Sequence, residues 1–168
     1  MMKTIYLAGG CFWGTQHFLS LIPGVVATET GYANSLIPDP TYQEVCTGRT
    51  DAAETVKVDY DPERVPLADM LRLYFMTIDP TTVDRQGHDT GRQYRTGIYY
   101  TDPADEPIIA DEINRLASKY TQPIRVEIRP LGNFYPAEEY HQEYLLKNPG
   151  GYCHVNPELF RIARQYKH

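Results

Sequence analysis

Three cysteines, Cys11, Cys46 and Cys153, are the residues of this sequence best suited to chemistry. An odd, widely spaced set without secretory features argues against a structural disulfide framework and for nucleophilic or redox use of at least one thiol. Cys11 has the most suggestive surroundings, Gly9-Gly10 before it and Phe12-Trp13-Gly14 after it. The β-forming run Lys3 to Ala8 ends at the diglycine, and Phe12 to Ile22 reads as a helix stopped by Pro23-Gly24. Cys11 thus falls at a strand-to-helix turn. There the unpaired N–H groups of a first helical turn and the positive end of the dipole favour a thiolate, so its pKa is expected below the usual ~8.5. Two adjacent large aromatics at a helix start cannot both face the core, so Phe12, Trp13 or both are expected to wall an apolar pocket beside the sulfur. The plainer readings are a small buried thiol and a core tryptophan.

The elements that must hold this site alternate along the chain. Val25 to Tyr32 and Glu54 to Tyr60 read as strands, the second with Val56, Val58 and Tyr60 in the period of a half-buried sheet. Leu67, Leu71, Tyr74, Phe75 and Ile78 mark an amphipathic helix, Arg95 to Tyr100 a further strand, and Glu106 to Tyr120 a second long helix. Ile124 to Arg129 alternates again. Pro136 to Lys147 is predicted to be a helix ended by Asn148-Pro149-Gly150-Gly151, and Pro157 to Tyr166 a short terminal helix. Three stretches, Ala33 to Thr41, Asp79 to Tyr94 and Leu131 to Tyr135, are left as loops of the kind that carries function. Without a regular βαβ cadence the pattern predicts a mixed α+β domain, a central sheet with helices packed over it.

Composition narrows the function classes. With 168 residues, 42% of them hydrophobic, the chain is expected to form one domain spanning 1–168. The net charge of -6 and the scattered Lys and Arg exclude nucleic acid and an anionic membrane as expected partners. The apolar patch before Gly9 is too short for a signal-peptide core and no run approaches a membrane span, so a cytoplasmic protein is expected. No Cys-x-x-Cys and no histidine pair at helical spacing occurs, so no metal is expected.

Gly10-Cys11-Phe12-Trp13-Gly14 resembles the signature of the A-type peptide methionine sulfoxide reductases. Further matches are Pro40 to Gly48, Glu54 before a strand ending in Tyr60-Asp61-Pro62, Asp84-Arg85-Gln86-Gly87, Asp89, and Gln93-Tyr94-Arg95. They continue through Phe134 to Glu138, Tyr140-His141-Gln142 and Gly151-Tyr152-Cys153, in family order. The resemblance implies a ferredoxin-like, elaborated two-layer sandwich, and reduction of methionine-S-sulfoxide, free or in proteins, without an organic cofactor. It implies that Cys11 attacks the sulfoxide sulfur while Glu54, raised in pKa by its pocket, protonates the oxygen. Tyr42 and Tyr94 would hydrogen-bond that oxygen, Asp89 would order the polar side, and Phe12 and Trp13 would bind the substrate. The Cys11 sulfenic acid would condense with Cys153, carried on a flexible segment 148–168 that includes Gly150-Gly151, and thioredoxin would reopen the disulfide. A monomer is expected.

Cys46 is read as a buried structural thiol, and His141 and His154 as structural or surface residues. Many relatives have Gly-His-Ala before the acid where this chain has Asp51-Ala52-Ala53, and asparagine where His88 stands; no cysteine comes after Cys153. The competing reading is a cysteine hydrolase or acyltransferase, which requires a basic histidine beside the nucleophile.

Overall fold

The computed structural model describes residues 1–168. Strand β1 (Lys3–Gly9) enters helix α1 (Phe12–Ser20) through Gly10 and Cys11. Next come strand β2 (Val25–Ala33), the short helix α2 (Tyr42–Cys46), strand β3 (Ala53–Tyr60) and helix α3 (Leu67–Phe75). A two-residue ladder, β4 (Arg85–Gln86) with β5 (Asp89–Thr90), leads into a 3-10 turn at Arg92–Tyr94 and strand β6 (Thr96–Tyr100). Helix α4 (Asp105–Ala117), strands β7 (Glu127–Pro130) and β8 (Phe134–Pro136), and helices α5 (Tyr144–Lys147) and α6 (Pro157–Arg164) complete the chain.

The main sheet has the order β7-β6-β1-β3-β2-β8. Its four inner strands with α1 and α3 form a ferredoxin-like βαββαβ unit. All pairings are antiparallel except β6 with β7, so the sheet is mixed. One face is covered by α1 and α3, where Ile5, Leu7, Phe18, Leu19, Val56, Val58, Tyr60, Met70, Leu71 and Tyr74 lose all or nearly all contact with water. Each such side chain contributes roughly 1.5–3 kcal/mol by leaving solvent. The opposite face carries a small alanine-rich cluster, Ala8, Ala33 and Ala53 around Tyr99.

The period of β3 fixes the direction of its acid. Glu54 shares the phase of Val56, Val58 and Tyr60 and so projects from the apolar face instead of the solvated edge. It pairs across the ladder with Tyr32 of β2, placing both side chains on one face, under the start of α1.

The helix predicted over 136–147 does not form. Pro136 ends a strand paired with Gly31, and the Ala137 N–H donates to the Thr30 carbonyl. The Gln142 side chain then donates to the Thr30 carbonyl and accepts from its N–H, both at 2.9 Å, prolonging the edge of β2. Glu143 takes a left-handed φ of 50°, so only α5 is helical beyond it. Sheet-edge pairing won over local helix preference. The strand expected from Ile124 begins at Glu127.

Candidate active site

Cys11 is the N-cap of α1 and is 7% exposed. Reaching that position needs Gly10: its φ is +85°, and a side chain there would stand 2.8 Å from Cβ of Gln86. Gln86 in turn is fixed by its own loop, with Oε1 accepting from the Asp79 N–H and Nε2 donating to the Asp79 carbonyl, each at 2.8 Å.

The pKa expected for Cys11 is overturned. Burial and the Glu54 charge push its thiol up, against the Trp13 N–H that favours the thiolate. A helix N-terminus favours an anion only as far as the surroundings leave it solvated, and here the turn is sunk into the core. Glu54 is 1% exposed, and burial pushes its carboxyl up to about 8 even though the Phe12 N–H donates to its Oε1 at 3.2 Å. Oε2 has no partner. At neutral pH the pair therefore rests as a thiol beside a protonated acid, and a neutral Glu54 places no charge against a departing Cys11 proton.

Tyr42 opens α2, which is started by a reciprocal cap: the Glu44 N–H donates to Thr41 Oγ1 at 3.1 Å and the Thr41 N–H to Glu44 Oε1 at 2.9 Å. The Tyr42 N–H donates to Glu138 Oε2 and the Tyr32 hydroxyl to Glu138 Oε1, at 2.9 and 2.8 Å. Burial would raise Glu138, but these two donors outweigh it and hold its carboxylate low. Tyr94 closes the 3-10 turn after β5. Burial, then the Glu54 charge, push the hydroxyls of both Tyr42 and Tyr94 up, so both remain donors facing the acid. Asp89 lies close enough to Cys11, Glu54 and Tyr94 to act on all three, and Oδ2 accepts from the Tyr152 hydroxyl at 2.9 Å.

Phe12 is fully buried in the core against Tyr32 and His141, while Trp13 is half-buried and stacks on Tyr144 at 3.7 Å and 7°. Of the two aromatics, Trp13 is the one that reaches solvent. His141, 1% exposed, accepts from Trp13 Nε1 on Nδ1 at 2.9 Å and packs against Tyr42 and Tyr140. It is thereby engaged as a support for the aromatic wall and is not a base hydrogen-bonded to Cys11, as a hydrolase would require. Glu138 and Gln142 are structural supports to which the sequence assigned no role, although both lie in the matched motifs; His141 is structural, one of the two readings left open by the sequence.

Cys153 is half-buried, with Sγ 2.9 Å from the place a Cβ on Gly14 would take. Gly14 lies one helical turn beyond Cys11, so the second thiol is already parked beside the first; both are free. Cys46 is exposed, not buried: α2 turns it outward beside the Tyr42 hydroxyl. Asp51, the departure ahead of Glu54, accepts from Arg92 Nε at 2.7 Å, and Arg92 Nη1 also reaches Asp84 at 3.1 Å. This ion-paired triangle ties the Glu54 strand to the loop that presents Tyr94. No helix is long and apolar enough to cross a membrane.

Comparison with known proteins agrees with this geometry. The chain is 54% identical over 164 residues to the peptide methionine sulfoxide reductase MsrA of Lachnoclostridium phytofermentans, covering 98% of this chain and 99% of that one. It resembles the crystal structure of reduced Mxr1 from Saccharomyces cerevisiae at a TM-score of 0.87 and 39% identity, over 92% of this chain and 91% of that one. Mxr1 in complex with Trx2 matches at a TM-score of 0.61 and 28% identity, over 85% and 84%. With the family model described as "Peptide methionine sulfoxide reductase" matching residues 3–168, the chain belongs to the peptide methionine sulfoxide reductase family.

Proposed function

We propose that this chain reduces methionine-S-sulfoxide, free or within proteins, to methionine, with Cys11 as nucleophile and Glu54 as acid. The observation that carries this reading is the buried Glu54 carboxyl beside Cys11, one oxygen held by the Phe12 N–H and the other unpartnered. A sulfoxide oxygen leaves only when protonated, and a carboxyl pushed up to about 8 holds its proton at neutral pH. Tyr42 and Tyr94 donate to the sulfoxide oxygen, Asp89 orders that polar side, and Trp13, backed by Phe12, receives the methyl and thioether side of the substrate. Cys11 sulfur bonds the sulfoxide sulfur as Glu54 protonates the oxygen. The thiol proton replaces the one Glu54 gave; the hydroxyl then passes from the methionine sulfur to the Cys11 sulfur as the S–S bond between them and the methionine S–O bond break, so methionine departs and Cys11 is left as sulfenic acid.

Cys153 then attacks the sulfenic sulfur, releasing water and forming the Cys11–Cys153 disulfide. Thioredoxin returns both thiols by exchange, becoming oxidised itself; the Trx2 complex formed by the relative Mxr1 supports this choice of reductant. We take 148–168 as the segment that moves for this exchange, hinged at Pro149-Gly150-Gly151, where Gly150 faces open space. We further propose a monomeric, cytoplasmic protein acting without a cofactor.

The test is incubation of each epimer of a protected methionine sulfoxide with dithiothreitol, with Cys11→Ser as control. The S-epimer alone is reduced and Cys11→Ser is inactive. Equal turnover of the R-epimer, or activity without Cys11, overturns the reading.

A further inference from the structure

His154 has an environment that neither packing nor the steps above account for. Both ring nitrogens are shut off from solvent, and the one polar contact of the ring, to the Gly9 carbonyl, falls short of good hydrogen-bond geometry. Buried unpaired polar atoms are costly, so each calls for an explanation. The imidazole spans the two glycines that bracket Cys11. Its Nε2 lies 3.3 Å from where a Cβ on Gly10 would be, and its Nδ1 lies 3.4 Å from the corresponding point on Gly14. The Cys153 sulfur lies 2.9 Å from that same point on Gly14. One end of the ring thus stands by Cys153 and the other by the turn that carries Cys11.

We propose that His154 is the proton relay of the disulfide-forming step, an inference that rests on Cys11 as nucleophile and Cys153 as resolving thiol. The Cys153 S–H turns from the Val155 carbonyl that it faces at rest toward Nδ1; its bond breaks and the proton passes to Nδ1 as the Cys153 sulfur bonds the Cys11 sulfur. The Cys11 S–O bond breaks, and the oxygen takes a proton from Nε2–H and leaves as water. The sulfenic sulfur is reduced and the Cys153 sulfur oxidised, so no outside electrons are needed, and the imidazole ends neutral with its tautomer exchanged. Sequence neighbours could not both act if the ring turned outward. The close approach permitted by Gly10 and Gly14 is what admits it.

The charge state suits the task. Burial outweighs the Asp89 charge and the Gly9 carbonyl and holds the imidazole below its ordinary range, so it is neutral and basic at pH 7. Burial pushes the Cys153 thiol up, so it has little thiolate of its own there. The other titratable groups facing this corner are Cys11, with Glu54 behind it, and Tyr152, bonded to Asp89.

A rapid-quench experiment on the reduced chain with one equivalent of methionine sulfoxide separates the steps. Methionine release reports the first and loss of free thiols the second. In the wild type the second step is expected to be level from pH 7 to 8. A rise of about tenfold per pH unit, as a bare Cys153 thiolate would give, overturns the relay. In His154→Asn, disulfide formation slows about 10²-fold or more relative to methionine release, and sulfenic acid accumulates to be trapped by dimedone. In His154→Ala, added imidazole restores the second step. An unchanged ratio of the two rates, or failure of imidazole to restore it in a folded variant, also overturns the proposal. If methionine release itself is absent in the wild type, the reading of Cys11 fails instead.

Discussion

Replacing Glu54 by Gln should remove activity and add stability, and the structure sets both magnitudes. With its carboxyl pushed up to about 8, Glu54 is about nine-tenths protonated at pH 7, against about 0.3% at the ordinary value of 4.5, a roughly 300-fold larger supply of the acid form. Glutamine keeps an oxygen for the Phe12 N–H but has no proton to give, so the rate of methionine release should fall by about 10²–10⁴. The wild-type rate should decline as pH rises through 8. Stability moves the other way. Between 4.5 and about 8 the folded chain binds a proton that the unfolded chain has lost, so wild-type stability falls as pH rises across that window, by up to about 1.4 kcal/mol per pH unit. The stabilisation of Glu54→Gln over wild type should therefore widen from pH 5 to pH 8, toward roughly 4 kcal/mol as an upper bound, and level off beyond. Urea unfolding at pH 5, 7 and 9 measures this, with stopped-time methionine assays on the same samples. A constant stability difference across that range, or less than a tenfold loss of rate, would refute the buried-acid argument.

Cys153→Ser should release one methionine per chain and then stop in a thioredoxin-coupled assay; sustained cycling would contradict its resolving role. In Gly14→Ala the new methyl stands 2.9 Å from Cys153 Sγ and 3.1 Å from Val155 Cγ2, displacing the docked thiol. Disulfide formation should slow about 10²-fold, while alanine's better helix propensity offsets part of any stability loss by about 1 kcal/mol. Unchanged thiol loss in a rapid-quench trace would show that Cys153 does not react from this position. Trp13→Phe keeps an aromatic over Tyr144 but leaves His141 buried with neither nitrogen bonded, which should cost about 1–3 kcal/mol in urea unfolding. A change below about 0.5 kcal/mol would deny the Trp13–His141 bond its supporting role.

Much of the framework is legible in the residues alone. Alternation in β3, the apolar stripes of α3 and α4, and the diglycine ahead of Cys11 are local signals, carried by residues a few positions apart. They place Cys11 at a strand-to-helix turn and identify the α+β class. The motif matches name the other members of the site. Less legible is 136–147, where Gln142 and Pro136 bond to β2, more than a hundred residues earlier, and override the local preference for helix.

The sequence by itself thus determined the strand-to-helix turn at Cys11 and the alternation of β3, because residue type and strand phase are written locally; Glu54, Tyr42, Tyr94, Asp89 and Cys153 were named through the resemblance to a known family. Only the tertiary structure decided their state. It turned Cys46 outward, raised the Cys11 thiol that a helix start alone would lower, and set the His154 ring between Gly10 and Gly14. The reason is that desolvation and field at an atom sum over neighbours brought from across the chain, as when Phe12 and Glu54 meet from 42 residues apart, and no local pattern contains that sum.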